Sequence, residues 1–246
     1  MNRPCENLRV PTRDKYHAGF ARDAREFTEL LRSNDLSWPV PSCPGWSVKD
    51  LAEHLGGVHR WARDAILLGR PNDREQLPGD RDTADWFEEG AHELLALLQI
   101  SDPEAAAWTF GPDPKRVAFW DRRQALETML HLWDGQTATG MQHGIDSDLA
   151  ADGVAEVVEI MYPRQVRSKR IAALPFSVRI IVTDQPEAEY VLGGDGVAAL
   201  PEAVATLSGS AVDLLLALWG RGGVERLNVI GDSRAAAIVL TGGITP

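Results

Sequence analysis

Apolar residues recur at helical spacing through the first two-thirds of the chain and at strand spacing through the last third. Phe20, Ala24, Phe27 and Leu31 are separated by four, three and four positions, which predicts a helix over 14–32. The stretch SNDLSWPVPSCPGW then carries three prolines and a glycine and cannot continue it. Ser47 and Asp50 have the spacing of a capping box, so a second helix is predicted over 48–68. Its buried stripe is Leu51, Leu55, Val58, Ala62 and Ala65, and it stops near Gly69 and Pro71. Residues 70–82 are polar and read as a long connection. A third helix over 83–98 places Phe87, Ala91, Leu94, Leu95 and Leu98 on one side. The segment TFGPDPKR separates it from a fourth, over 116–139. Four helices with one apolar face each are most economically buried against one another.

A short fifth helix, 148–162, is predicted to end at Tyr162-Pro163. Beyond it the period changes. FSVRIIVTD (176–184) is rich in β-branched residues, and AEYVLGGDG (188–196) reads as a strand leading into turn glycines. VATLSGS and VDLLLALWGR follow as strand, turn and helix, and LNVIGD with SRAAAIVL closes the chain. The pattern predicts an α+β protein, with helical residues 1–162 followed by a smaller α/β domain over 163–246.

Composition narrows the function classes. Across 246 residues the net charge is −11, and no basic stripe is present, which argues against a nucleic-acid partner. No apolar run approaches the length of a membrane span, and the N-terminus lacks an apolar signal core, so a soluble cytoplasmic protein is expected. The two cysteines, Cys5 and Cys43, make neither a disulfide framework nor a metal knuckle. Cys43 is expected to be a loop residue packed under the start of the second helix.

The candidate chemistry lies on two helices. His54 falls three residues after Leu51 and four before Val58, pointing into the bundle or to its edge. His59 is expected at the flank of the same stripe. In the fourth helix, WDRRQALETMLHLWDG places Glu127 and His131 one turn apart on one face. That spacing also suits an ordinary helix Glu–His pair. With His54 added, however, the set has two histidines and a carboxylate, the ligand type of a catalytic zinc site and of some iron or nickel sites. Asp134 is placed to orient His131. Arg122 and Arg123, one turn before Glu127, and Arg221, at the end of the LLLALWGR helix, are candidate clamps for an anionic substrate. For the first two the alternative is a solvated helix face, and for Arg221 a helix C-terminal cation. Trp61 and Trp120 are candidate pocket walls.

PGWSVKDLAEHLGGVHRWA, WDRRQALETMLHLWD, SGSAVDLLLALWGR and VIGD together resemble the mycothiol-dependent maleylpyruvate isomerase family over nearly the whole chain. The resemblance implies a DinB-like metal-binding four-helix bundle, followed by a smaller α/β sandwich of sterol-carrier-protein type. It implies a divalent metal, zinc in the isomerase, on His54, Glu127 and His131, with mycothiol as thiol cosubstrate. The expected activity is thiol addition to an electrophilic substrate, for cis–trans isomerisation of a maleylpyruvate-like compound or for S-transfer, in a monomer or homodimer. Two other classes stay open: a non-catalytic metal-binding regulator, and a carrier for an apolar ligand.

Overall fold

The computed structural model describes residues 10–70, 72–141, 144–185, 187–195 and 202–246. Cys5, Pro71 and Gly196, to which the sequence assigns places, lie outside the described residues. The chain is α+β. It divides into two compact units, one of Thr12–Ile145 and one containing Asp146–Pro246.

In the first unit, α1 (Arg13–Ser33), α2 (Val48–Leu68), α3 (Thr83–Ile100) and α4 (Ala118–Thr139) form a closed set. Helix α1 packs on α3 and α4, and α2 packs on the same two. The predicted capping box is present: Asp50 N–H donates to Ser47 Oγ at 3.2 Å, and Ser47 N–H donates to Asp50 Oδ2 at 2.8 Å. It sets where α2 begins and therefore where His54 falls. Phe20, Phe27, Leu30, Leu51, Leu55, Phe87, Leu94 and Leu126 fill the interior. From Leu55 to Arg60, α2 is buried on all sides, so its buried arc is wider than the single stripe read from the sequence. The Trp86 ring fills the space where Gly56 has no Cβ.

The second unit opens with α5 (Ser147–Glu156), a π turn (Val157–Met161) and α6 (Tyr162–Arg167). The predicted stop at Tyr162-Pro163 does not occur. A proline removes one helical N–H and crowds the carbonyl four residues back, and here the widened turn falls immediately before Pro163. The helix resumes with that proline in its first turn. This helical segment belongs with the sheet because α5 packs on α7. The units therefore divide at 145/146 rather than at 162/163.

Strands β1 (Leu174–Val182), β2 (Glu189–Gly194), β3 (Ala203–Gly209) and β4 (Asn228–Gly231) form one sheet in the order β2-β1-β3-β4. The central pair β1/β3 is parallel, and both flanking pairs are antiparallel. Val178, Ile180 and Val182 alternate onto the covered face of β1. Helix α8 (Ser233–Thr241) packs on β1 and β3, while α7 (Ala211–Leu218) contributes Leu214, Leu215 and Leu218 to the core. Tyr162 ties helix to sheet: its hydroxyl accepts from Leu174 N–H at 2.9 Å and donates to the Gly194 carbonyl.

Candidate metal centre

Helix α4 lays Arg123, Glu127, His131 and Asp134 along one face at spacings of four, four and three. Helix α2 brings His54 opposite them. Glu127 Oε1 lies 3.5 Å from His54 Nε2 and 3.4 Å from His131 Nε2. All three residues offer ligand atoms within 4.8 Å of one another. Their side chains keep 22, 17 and 11% exposure (His54, Glu127, His131), so the cluster is recessed and in partial contact with solvent. The other Glu127 oxygen accepts from the Arg123 guanidinium, which is buried.

Asp134, fully buried, does what its spacing suggested. Its Oδ2 lies 2.8 Å from His131 Nδ1, while Ser42 Oγ donates to its Oδ1 at 2.5 Å. A carboxylate on Nδ1 places the ring proton there and turns Nε2 towards Glu127. Cys43 is more than loop packing: its thiol lies 4.0 Å from Asp134 Oδ2. Cys43, His131 and Asp134 form a second group of possible ligands that shares His131.

The charges are strongly coupled. Burial alone would push the Glu127 carboxyl up, but Arg123 and the two imidazoles outweigh it and hold it well below the usual range. Burial likewise opposes charging His131, yet Asp134 and Glu127 raise its pKa. Burial dominates at His54 and lowers its pKa despite Glu127.

Several expectations change in place. His59 does not sit at the edge of the stripe. It is fully buried between Phe20 and Phe87, ring centroids 5.0 and 5.3 Å away, and Nε2 meets Thr128 Oγ1 at 3.0 Å. Burial depresses its pKa to about 3. Arg123 is committed to Glu127 rather than lying on a solvated face, while Arg122 is half-buried. Trp120 is sealed inside an aromatic cluster with Trp61, Trp108, Phe110 and Phe119, and its indole N–H donates to the Trp108 carbonyl at 2.8 Å. Trp61 stays half-buried and is the one of the pair able to face a ligand. In the second unit, Arg221 donates to the Trp219 carbonyl at 3.0 Å and lies over that indole.

One residue was missed. Arg74, in the polar 70–82 connection, places Nη1 3.3 Å from His54 Nδ1 and its guanidinium 5.6 Å over the Trp61 ring. No periodicity marks an arginine in a polar loop, and no signal in the sequence points to it.

Helices that offer two imidazoles and a carboxylate, joined to a small mixed sheet, define a class: helical-bundle proteins with a candidate metal centre. The comparisons name the family. The Mycothiol maleylpyruvate isomerase N-terminal domain matches residues 18–135, and the MDMPI C-terminal domain matches 148–237. The chain belongs to the mycothiol-dependent maleylpyruvate isomerase family. Uncharacterised proteins of two Mycobacterium tuberculosis strains, CDC 1551 / Oshkosh and ATCC 25618 / H37Rv, are each 30% identical over 155 residues. Those alignments take in 58% of this chain and 77% of theirs. The crystal structure of the mycothiol-dependent maleylpyruvate isomerase superposes with a TM-score of 0.63 at 12% identity, covering 92% of this chain and 96% of that one. A histidine-to-alanine mutant of the isomerase gives 0.61 at 13%, with the same coverage. At such identities these two structures speak for the fold.

Proposed function

We propose that this chain is a metal- and thiol-dependent enzyme, with His54, Glu127 and His131 holding a divalent cation, zinc by preference. One observation carries the reading. Zinc bonds of about 2.0–2.1 Å at tetrahedral angles put neighbouring donor atoms about 3.3–3.4 Å apart. The two imidazole-to-carboxylate separations are 3.4 and 3.5 Å. Three protein ligands leave a fourth position open, as catalytic zinc sites do.

When bound, the cation supplies a Lewis acid that lets a thiol ionise near neutral pH. The chain's own residues do the rest. Asp134 holds the proton on His131 Nδ1 so that Nε2 is the free donor. Arg123 anchors Glu127. With both imidazoles neutral, Glu127, Asp134 and Arg123 sum to one negative charge. A dication makes the centre +1, matched to one further anion. A low-molecular-weight thiol, mycothiol in this family, supplies that anion as its thiolate. Addition of the sulfur to an electron-poor cis double bond leaves a single bond that can rotate. Expulsion of the thiolate from the resulting enolate then gives the trans isomer, whereas protonation of that enolate by water and release of the thioether would be S-transfer. Arg122 is proposed as a further cation for substrate carboxylates, and Trp61 as pocket wall.

The test is metal content followed by thiol titration. One zinc per chain is expected, lost in His54→Ala and Glu127→Ala, with mycothiol binding that weakens at least tenfold when the metal is removed. Equal mycothiol binding by metal-free and zinc-loaded protein would overturn the reading.

A further inference from the structure

Residues 72–77 cross α2 as a strap, exposed from 72 to 76. Its seat is Gly57: a Cβ there would stand 2.9 Å from the Glu75 carbonyl oxygen, so the strap lies flat only because the helix has no side chain at that point. Glu75 fastens it through ion pairs with Arg60 at 3.4 Å and Arg63 at 3.6 Å. The consequence is the aim of Arg74. An arginine on an exposed connection ordinarily points to water. This one is turned onto His54 Nδ1 on one side and the Trp61 face on the other.

The chemistry of the His54 contact makes it conditional. Arginine only donates, so it meets the lone pair of Nδ1, and the single proton of the neutral ring resides on Nε2, towards Glu127. When Nε2 ligates a cation, that proton resides on Nδ1 instead, which can no longer accept from Arg74. The guanidinium would then be free to take an anion beside the centre. Its planar fork matches a carboxylate.

We infer that Arg74 is the anion clamp of this site, resting on His54 when the centre is metal-free and taking a carboxylate of the electrophilic substrate when His54 ligates. The inference rests on the metal-centre reading above. Glu75 and Gly57 act through it as positioning residues.

Maleate, a flat cis-dicarboxylate without the rest of a substrate, serves as the probe, titrated calorimetrically into zinc-loaded protein. Zinc affinity is measured in parallel by chelator competition. Loss of one charge-assisted contact predicts maleate binding about ten- to a hundredfold weaker in Arg74→Gln. Arg74→Lys should recover only part, lacking the fork. Zinc should bind Arg74→Gln as tightly as wild type or tighter, since the guanidinium no longer competes for His54. Equal maleate affinity in wild type and Arg74→Gln, no maleate binding to zinc-loaded wild type, or weakened zinc binding in Arg74→Gln each overturns the clamp and leaves the metal centre standing. Failure of all the proteins to take up stoichiometric zinc overturns the centre, and the clamp with it.

Discussion

Replacing Arg123 with methionine removes the charge that holds Glu127 but keeps most of the apolar stem. The guanidinium is 3% exposed and its carboxylate partner 17%, so the pair is largely shielded from water. Breaking such a pair costs about 3–5 kcal/mol, because a charge is left uncompensated. Glu127 keeps some solvent and two imidazoles at 3.4 and 3.5 Å, which places the expectation at the lower end, about 3 kcal/mol. For a chain of this length that is a fall of about 6–12 °C in melting temperature in the presence of a chelator. A cation on Glu127 supplies the missing positive charge, so with saturating zinc the difference between Arg123→Met and wild type should shrink to about 1 kcal/mol or less. Thermal unfolding followed by circular dichroism, with EDTA and with zinc, reads both numbers. An equal loss in the two conditions would show that Arg123 stabilises the core independently of the centre and would refute the reasoning.

His59 gives a pH dependence with a definite sign. Its folded pKa of about 3 lies below the unfolded value of about 6.5. The unfolded chain therefore binds the proton first, and stability present above pH 6.5 is lost as pH falls towards 3. At pH 4.5 this group alone should cost about 3 kcal/mol. Urea midpoints at pH 7 and 4.5 should therefore lie further apart in wild type than in His59→Gln, and an equal or wider gap in the variant would refute the account. Zinc loading should release protons because His131, whose pKa is raised, must give one up. Release measured with an indicator dye should be larger at pH 6.5 than at pH 8.5, and equal release would remove His131 from the ligand set. Tyr162→Phe strands a buried N–H on Leu174 and a carbonyl on Gly194, an expected loss of about 2 kcal/mol in urea unfolding; a loss below 0.5 kcal/mol would mean that water replaces the hydroxyl.

What was legible in the sequence is what depends on local spacing. Ser47 and Asp50 lie within one turn, so the start of α2 could be read, and the relation of Glu127 to His131 is a property of any helix. The surroundings of these residues depend on tertiary approach. His59 is one position from Val58 and looks peripheral, yet Phe20 and Phe87 arrive from two other helices to enclose it. Ser42 and Cys43 reach Asp134 from some ninety positions away. Pro163 reads as a terminator because the rule for α-helices says so, and nothing local announces the wider turn before it. Arg74 required knowing that residues 74 and 75 lie over Gly57.

The attachment of the strap has an evolutionary meaning. It is held by a carbonyl over a glycine and by two ion pairs with an exposed glutamate, and from 72 to 76 it buries no apolar side chain. Sequence change there costs little in folding free energy, whereas change on the facing surfaces of α2 and α4 disturbs both core and ligands. If Arg74 is the clamp inferred above, substitutions in the strap would alter the anion the site takes while leaving the helices that carry His54, Glu127 and His131 undisturbed.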